Sequence, residues 1–502
     1  MKKMKKIFLP VLLVMTVLIG GCKEEETDET VPESTAVSEA SVSETAEVVE
    51  ETAEADTVVD YETALFDNSY IHDINVEITE EDWEDLLANP LDKPKYNVTV
   101  TVDGEVYENV AFSPKGNASL FIVAGVKKND RYSFKLNFHK YDKSQTYHGL
   151  RELVLNNSFN DNSYIRDYAA SLAFKAAGIP TALMSFVKLS INGEYYGLYM
   201  AAETIDKEYL NRNFDGDGAL YKVESAVLAA RDGKVIDSVR DCLETGTEGP
   251  CELSFTDLDP DYTTKGADFR YTDDEEDSYT DIFDNNETKT TEEDRLEVIT
   301  ALKNLSLGNI DEALDKDEVI RYFAAHNFVC NSDSYTSVML HNYYLYEKDG
   351  ILSMIPWDYN VMGETGRPVT GGSETCTMEE LINMGIDSPT FQEVKLENRP
   401  MLAWIFEDEE AHRDYQNILG EEIAAYFSSD ALAEEMERMY EMIEPYVETD
   451  PTSFCTPEEF KEEYQLVVNF FQKRAESIRK QLDGSLSKVT AEQDPEDRVT
   501  LD

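Results

Sequence analysis

The sequence predicts an α+β protein in which a strand-rich first half precedes a mainly helical second half. Apolar residues alternate with polar ones along Tyr96–Val102 and resume beyond Asp103-Gly104, which is typical of a β-hairpin. In residues 296–328 and 401–482, apolar residues recur every three or four positions, as in helices packed by one face. A hydrophobic content of 41% in 502 residues is too high for a wholly disordered chain, and the length leaves room for about two or three domains.

Residues 1–22 are predicted to be a lipoprotein signal peptide. Four lysines among the first six residues precede the apolar run 7–19, which is typical of a secretion signal and too short to span a bilayer. The run ends in Gly20-Gly21-Cys22, which resembles a bacterial lipobox, so we expect Cys22 to be lipidated. The protein would then be extracytoplasmic, held at the bacterial cell membrane by its lipid anchor alone. The alternative is an ordinary signal peptide with a chance cysteine.

Composition predicts a disordered acidic linker over residues 23–60 and a disordered tail over residues 486–502. The linker consists mainly of Glu, Thr, Ser, Ala and Val without aromatic residues, so it cannot bury enough surface to offset chain entropy. The whole chain carries 44 Lys and Arg against 103 Asp and Glu, a net charge of −59. Such a surface repels phosphate backbones, which argues against nucleic acid as a partner.

Residues 61–225 are predicted to form the strand-rich part. Thr79 has the position of a helix cap before an acidic first turn. The hairpin at Asp103-Gly104 follows, and then a strand over residues 132–138. A helix over residues 163–177 is stopped by Gly178, and a second hairpin turns at Asn192-Gly193. Strands, one helix and more strands indicate a mixed sheet rather than a βαβ series.

Residues 226–295 are predicted to be an acidic insertion, and residues 296–485 the helical part. Residues 256–294 are rich in Asp and Glu without the EF-hand spacing, which indicates a solvated surface excursion. Cys242 and Cys251 could close a small disulfide loop in an exported chain. The remaining cysteines and the six histidines lack the spacings of common zinc sites.

Residues 324–360 contain the strongest candidate site. Asp333 follows a predicted helix, and a hairpin then carries Asn342 at one end and Asp358 beyond the other. Phosphoryl transfer from ATP needs a carboxylate at the attacking hydroxyl and an amide and a second carboxylate on divalent cations. Each residue alone has a structural alternative, namely a helix cap for Asp333 and a strand-end turn for Asp358.

Lysines of the strand-rich part could contact the phosphates. Lys135 lies inside a strand between apolar residues, where a charge is costly unless it faces an anion; the alternative is an outward-facing Lys. Lys115, Gly116 and Asn117 begin a segment that could form a backbone nest for phosphate, or an ordinary loop.

Together these segments resemble the CotH kinase family, the spore-coat protein H-like proteins. The resemblance covers roughly residues 73–360 and is carried by the order and spacing of eight short motifs. These are residues 115–119, 132–138, 163–166, 191–199, 203–206, 331–333, 342–346 and 355–359.

The resemblance implies a two-lobed atypical protein-kinase-like fold, with a strand-rich N-lobe and a mainly helical C-lobe. It also implies transfer of phosphate from ATP, with Mg²⁺ or Mn²⁺, to Ser or Thr hydroxyls of surface or envelope proteins. Asp333 would be the catalytic carboxylate, Asp358 a metal ligand and Asn342 a metal or loop-ordering group. Lys135 would bind phosphate, and Glu203 would lie near the nucleotide.

Two departures from the family pattern affect this interpretation. The family often has Arg in place of Lys115 and a second Asp in place of Asn360, so metal use or activity could differ. One alternative function is a non-catalytic surface lipoprotein for adhesion, envelope assembly or ligand binding. Another is a hydrolase of surface polymers, although no pair of acids stands out in the sequence.

Overall fold

The computed structural model describes residues 60–501, apart from residues 128, 215, 246–249, 252, 254–255, 257 and 364–375. The predicted signal peptide, Cys22 and nearly all of the predicted linker lie outside the described residues. The described part is a mixed α/β protein with a seven-stranded barrel, a separate three-stranded sheet and a largely helical second half.

Seven strands from the first half close the barrel. Their order around it is β1-β2-β3-β4-β5-β7-β6, and β6 closes on β1 in parallel, with Ile74 opposite Leu189. The other neighbouring pairs are antiparallel. The strands are β1 (His72–Glu77), β2 (Tyr96–Val102), β3 (Glu105–Lys115), β4 (Ser133–Asn137), β5 (Glu152–Asn156), β6 (Met184–Ile191) and β7 (Glu194–Glu203).

The three-stranded sheet lies further along the chain, in the order β10-β9-β8, with both pairs antiparallel. Its strands are β8 (Ala219–Lys222), β9 (Tyr343–Lys348) and β10 (Ile351–Pro356). The β9–β10 hairpin confirms the predicted one, and it separates Asn342 from Asp358.

Three tight hairpins turn on an Asp-Gly or Asn-Gly pair whose two residues both have positive φ. This backbone matches the twist of the flanking strands, and Asn, Asp and Gly adopt it at the lowest cost. All three turns are predicted by the sequence. They are Asp103-Gly104 (φ 47° and 91°), Asn192-Gly193 (φ 52° and 83°) and Asp349-Gly350 (φ 55° and 78°).

Many of the helices begin at a polar side-chain cap, whereas α4 (Arg166–Ala176) begins after Ile165 without one. Thr79, for example, accepts a hydrogen bond from the Asp82 N–H at 3.1 Å. Among the described residues, no helix is both long and apolar enough to cross a membrane. The helices are α1 (Tyr61–Leu65), α2 (Glu80–Ala88), α3 (Ala118–Ile122), α4 (Arg166–Ala176), α5 (Lys207–Asn213), α6 (Ala226–Glu244), α7 (Thr280–Phe283), α8 (Glu292–Ser306), α9 (Lys316–Val329), α10 (Met378–Ile382), α11 (Pro400–Glu407), α12 (Glu409–Asn417), α13 (Asp430–Val447) and α14 (Pro457–Leu482).

The acidic segment of residues 226–295 is more integrated than its composition indicates. Asp281 is buried and accepts hydrogen bonds from the N–H groups of Ala226 at 3.0 Å and Lys265 at 2.9 Å. Phe269 is also buried, and the Tyr343 hydroxyl donates to the Ala267 carbonyl at 2.7 Å. The structure differs here from the predicted surface excursion because some of the acids satisfy buried backbone donors, which composition cannot distinguish from solvated acids.

The C-terminal tail also differs from its predicted disorder. Val499 is buried, and its N–H donates to the Asn383 side chain at 2.9 Å. The Gln493 side chain donates to the Asn383 carbonyl at 2.7 Å. A few specific contacts hold this polar segment on the helical half, and its composition does not reveal them. Cys242 and Cys251 form a disulfide, as their spacing suggests.

Candidate functional site

The loop after α9 brings Asp333 and Asn342 together. Cys330 ends the helix in a left-handed conformation (φ 52°), so the chain leaves the helix axis sharply. The Asp333 N–H then donates to the Asn331 side chain at 2.9 Å, which closes a local turn. The Asn342 amide donates to both the carbonyl oxygen and the carboxylate of Asp333, at 3.0 and 3.2 Å. Asn342 is predicted to be either a metal ligand or a loop-ordering group, and these hydrogen bonds support the loop-ordering role.

Asp358 follows β10 and lies beside α4. Its φ of 54° lies in the left-handed region, which Gly, Asn and Asp adopt most readily, and this backbone turns the chain directly after the strand. The next residue, Tyr359, donates its N–H to the Asp167 carboxylate in the first turn of α4 at 2.9 Å. A buried contact between α4 and the end of the hairpin therefore places Asp358 near Asp167.

Lys115, Asp167 and Asp358 line one pocket, together with Asn156 and Asn360. The Lys115 ammonium donates to the Asn156 side chain at 3.0 Å and lies 5.7 Å from the ring centroid of Trp357. About 40 Å³ is free inside. Since a water needs roughly 10–15 Å³ by this measure, the pocket holds a few waters, a metal ion or phosphate oxygens, and not a whole nucleotide.

The charges in this pocket act on one another. Burial, and then the charge of Asp358, raise the pKa of the Asp167 carboxyl to about 7, while the Tyr359 N–H and Lys115 act in the opposite direction. Burial lowers the pKa of the Lys115 ammonium, and the nearby Asp358 and Asp167 partly offset this effect. A second cation beside the two carboxylates would relieve their repulsion.

The pocket residues fit a hard divalent cation. Asp161, Asp167 and Asp358 all line this pocket, and Asp161 accepts hydrogen bonds from the N–H groups of Ser163 and Arg166. Asp167, Asp358 and the amide of Asn360 offer the oxygen ligands that Mg²⁺ and Mn²⁺ prefer. Asp167 supplies a second carboxylate where Asn360 replaces the family's second Asp. The sequence analysis did not identify Asp167 as a site residue. Its only signal in the sequence is an acid beside the apolar residues of α4.

Lys135 lies on the same face of the barrel as Lys115. In the β3–β4 register Lys115 is opposite Ser133 and Ser113 is opposite Lys135, so the two lysines are diagonal neighbours. The Lys135 side chain is 37% exposed and is ion-paired with Glu152 of β5. Lys115, and not Lys135, therefore lines the pocket that contains Asp358.

The face of the barrel that carries Lys135 lies near the three-stranded sheet. Burial raises the pKa of Glu287, and the nearby cations Lys222 of β8 and Lys135 of β4 oppose that shift. Tyr344 of β9 stacks edge-on against Trp357, with ring centroids 6.0 Å apart. Charged groups of the barrel and of the three-stranded sheet therefore lie close enough to interact through Glu287.

Glu203 lies on a different side of β7. It is buried, and its carboxylate accepts hydrogen bonds from the Tyr61 hydroxyl at 2.7 Å, the Leu183 N–H at 3.1 Å and Arg212 at 2.6 Å. Its strand partner Leu153 belongs to the barrel core, whereas the lysine pocket lies on the outer face. The structure does not bring Glu203 together with the pocket residues.

The loop after Lys115 is tight. Gly116 has φ 115°, and a Cβ there would lie 2.8 Å from the Ser119 hydroxyl, which itself lines the pocket. The Asn117 side chain accepts a hydrogen bond from Lys93 at 3.1 Å. Only glycine adopts this backbone at position 116 without strain. Because the nearby Ser119 lines the pocket, the loop passes close to the pocket edge.

Comparison with known proteins agrees with the motifs. The family model described as CotH kinase protein matches residues 113–478, a range that includes both lysines, Asp167, Asp333 and Asp358. The inner spore coat protein H of Bacillus subtilis (strain 168) is 24% identical over 354 residues, which cover 70% of this chain and 83% of that protein.

Proposed function

The chain belongs to the CotH kinase protein family, and on this basis we propose that it transfers phosphate from ATP to Ser or Thr hydroxyls of proteins, with Mg²⁺ or Mn²⁺. The observation that carries the proposal is the pocket shared by Lys115, Asp167 and Asp358. Asp333 and Asn342 form a separate hydrogen-bonded pair, and neither is among the residues that line this pocket. Phosphoryl transfer depends mainly on positioning and on neutralising phosphate charge. An ammonium and two carboxylates in a small pocket suit both tasks.

Each residue has a role that its position supports. Asp358 and Asp167 would hold the divalent cation, which neutralises phosphate charge when bound. The Lys115 ammonium would contact a phosphate oxygen from the barrel side. Asp333 would orient the acceptor hydroxyl and accept its proton, while Asn342 holds its carboxylate in place through the 3.2 Å hydrogen bond. Lys135 of the barrel and Lys222 of the three-stranded sheet, which both lie near Glu287, would face the remainder of the nucleotide.

We also propose that the protein works outside the cytoplasm, attached to the membrane by a lipid at Cys22, with acceptors at the surface or envelope. The sequence pattern before Cys22 supports the anchor, and the name of the Bacillus subtilis relative places that protein in the inner spore coat. Replacing Cys22→Ala should release the protein from the membrane fraction; retention of the variant there would contradict the anchor.

The test is transfer of labelled phosphate from ATP to a generic protein acceptor, with Mg²⁺ or Mn²⁺. We expect Asp333→Ala and Asp358→Ala each to lower transfer by at least about 100-fold, the scale of losing a group that acts in the transition state. Asp277→Ala, an exposed acid outside the pocket, is the matched control and should keep full activity. Transfer that persists in both pocket variants would show that these residues do not carry the reaction.

Nucleotide binding separates an enzyme from a surface binding protein. ATP with either metal should raise the melting temperature of the wild-type protein, because a ligand that binds only the folded state stabilises it. No rise with either metal would favour the non-catalytic alternative, in which the acidic surface serves adhesion or envelope assembly. The small free volume of the pocket makes this measurement necessary, since the pocket alone has no room for a whole nucleotide.

A further inference from the structure

Three carboxylates meet away from the lysine pocket, where α8 packs on the three-stranded sheet. Asp294 and Glu297 lie one turn apart on α8, and Glu347 lies on β9 with only 1% of its surface exposed. One carboxylate oxygen from each residue lies within 4.8 Å of the other two. None of the three residues lines the pocket of Lys115.

A buried hydroxyl next to this cluster lacks a partner. The Tyr221 side chain is fully buried, and within the described part of the chain its hydroxyl makes no hydrogen bond. In the β8–β9 register Ala219 is opposite Glu347 and Tyr221 is opposite Leu345, so Tyr221 and Glu347 are diagonal neighbours on one face. Besides burial, the nearby charges of Glu347 and then Asp294 raise the pKa of Tyr221. Tyr221 therefore lies on the sheet face that carries Glu347, close enough for its unpartnered hydroxyl to interact with the acids.

Two of the carboxylates are already oriented by the protein. Asp294 accepts a hydrogen bond from the Thr291 hydroxyl at 2.9 Å, and Glu347 accepts one from the Gly350 N–H at 2.8 Å. Glu347 also shares a hydrogen bond with Glu297, so two of the three carboxyl groups already lie together. Arg295, the neighbouring cation, is paired with Glu276 at 2.7 Å. Oriented carboxylates without a dedicated cation are the arrangement of a metal site.

We propose that Asp294, Glu297 and Glu347, with the Tyr221 hydroxyl, bind a divalent cation of the calcium class. Calcium takes oxygen ligands at about 2.3–2.6 Å in irregular geometry, so its ligand oxygens can be up to about 5 Å apart. Magnesium needs a more compact octahedron with ligands at about 2.0–2.1 Å. The three ligand oxygens lie within 4.8 Å of one another, a bound that the span of calcium ligands accommodates in full and the magnesium octahedron only in part.

The ion would join α8 to the β9–β10 hairpin. That hairpin begins directly after Asn342 and ends two residues before Asp358, so a tie at Glu347 fixes the element that carries both. The site is a positioning site and makes no contact with the reacting atoms. Its existence does not depend on the proposed phosphotransfer.

Calorimetry and thermal melting of the chelator-treated full chain, titrated with CaCl₂, test the proposal. Calcium should bind and raise the melting temperature. Glu297→Gln should weaken calcium binding by at least about tenfold, since even groups that only orient metal ligands are worth that much. Glu293→Gln, an exposed acid on the same helix, should change it by less than about twofold.

A further variant separates this site from the proposed active site. Asp358→Ala should keep the calcium-dependent rise in melting temperature, whatever happens to phosphate transfer. Tyr221→Phe, which keeps the ring in the core, should weaken calcium binding without loss of folding. No calcium response in the wild-type protein, or the same response in Glu297→Gln, would overturn the proposal and identify the cluster as carboxyl groups that share a proton.

Discussion

The two lysines on the outer face of the barrel should differ sharply in their importance. Lys115 lines the pocket with Asp167 and Asp358, whereas Lys135 is ion-paired with Glu152 and 37% exposed. Lys115→Met removes the ammonium that balances two carboxylates, and Lys135→Met removes half of a partly exposed ion pair. The same substitution at two diagonal neighbours therefore tests which one contacts phosphate.

The expected magnitudes follow from the two environments. Loss of a group that stabilises transition-state charge costs about 10²–10³ in rate, or roughly 3–4 kcal/mol, so Lys115→Met should lower transfer by that factor. Loss of an exposed ion pair costs about 0–1 kcal/mol, so Lys135→Met should lower transfer by no more than about fivefold. Lys115→Arg keeps the charge and matches the residue that the family often carries, so it should retain most of the activity.

Phosphate transfer and nucleotide-dependent melting would be measured in parallel for the three variants. Circular dichroism and urea unfolding would check that Lys115→Met folds; without its neighbouring cation, Asp167 can remain protonated near neutral pH, which limits the loss of stability. A larger loss of transfer or of nucleotide stabilisation in Lys135→Met than in Lys115→Met would refute this assignment and restore Lys135 as the principal phosphate ligand.

Two further predictions concern stability. Burial raises the pKa of Glu318 from 4.5 to about 7, so the folded state holds this proton more tightly and stability falls as pH rises from about 4.5 to 7. Glu318→Gln should therefore stabilise the protein against urea by about 1–2 kcal/mol at pH 8 and little at pH 4.5. An equal gain at both pH values would contradict this. Arg131 and Asp450 form a fully buried ion pair at 2.7 Å, so Asp450→Asn should cost about 3–5 kcal/mol of unfolding free energy. The exposed pair of Lys188 and Asp73 is the control, and Lys188→Met should lower the free energy of unfolding by less than about 1 kcal/mol. Similar losses of unfolding free energy in Asp450→Asn and Lys188→Met would show that burial does not decide the effect.

The local elements of the fold were predictable because their signals are local. Asp-Gly and Asn-Gly pairs between alternating apolar residues specify hairpins, and Thr79 specifies the start of α2 by its side-chain oxygen. Closure of the barrel was not predictable. It depends on the parallel pairing of β1 with β6, more than 100 residues apart, for which no short motif exists.

The site was predictable in part. The order of Asp333, Asn342 and Asp358 along the chain identified the loop and hairpin ends, and the structure brings Asp333 and Asn342 into contact. The choice between Lys115 and Lys135 needs the β3–β4 register, which a single strand pattern does not contain. Asp167 resembles any acid in the first turn of a helix, where negative charge is favourable on its own. Its partner, the Tyr359 N–H, is 192 residues away.

Charge is concentrated at one buried place in this fold, which argues for a function there. The chain turns with positive φ at Asn342 and Asp358, on either side of the β9–β10 hairpin, and Asn and Asp adopt this backbone at low cost. Asp167 is buried close to Asp358, an arrangement that folding alone disfavours. A sequence selected only for stability would replace such groups by apolar residues of similar volume. Their presence in one pocket is best explained by a ligand whose charges they complement.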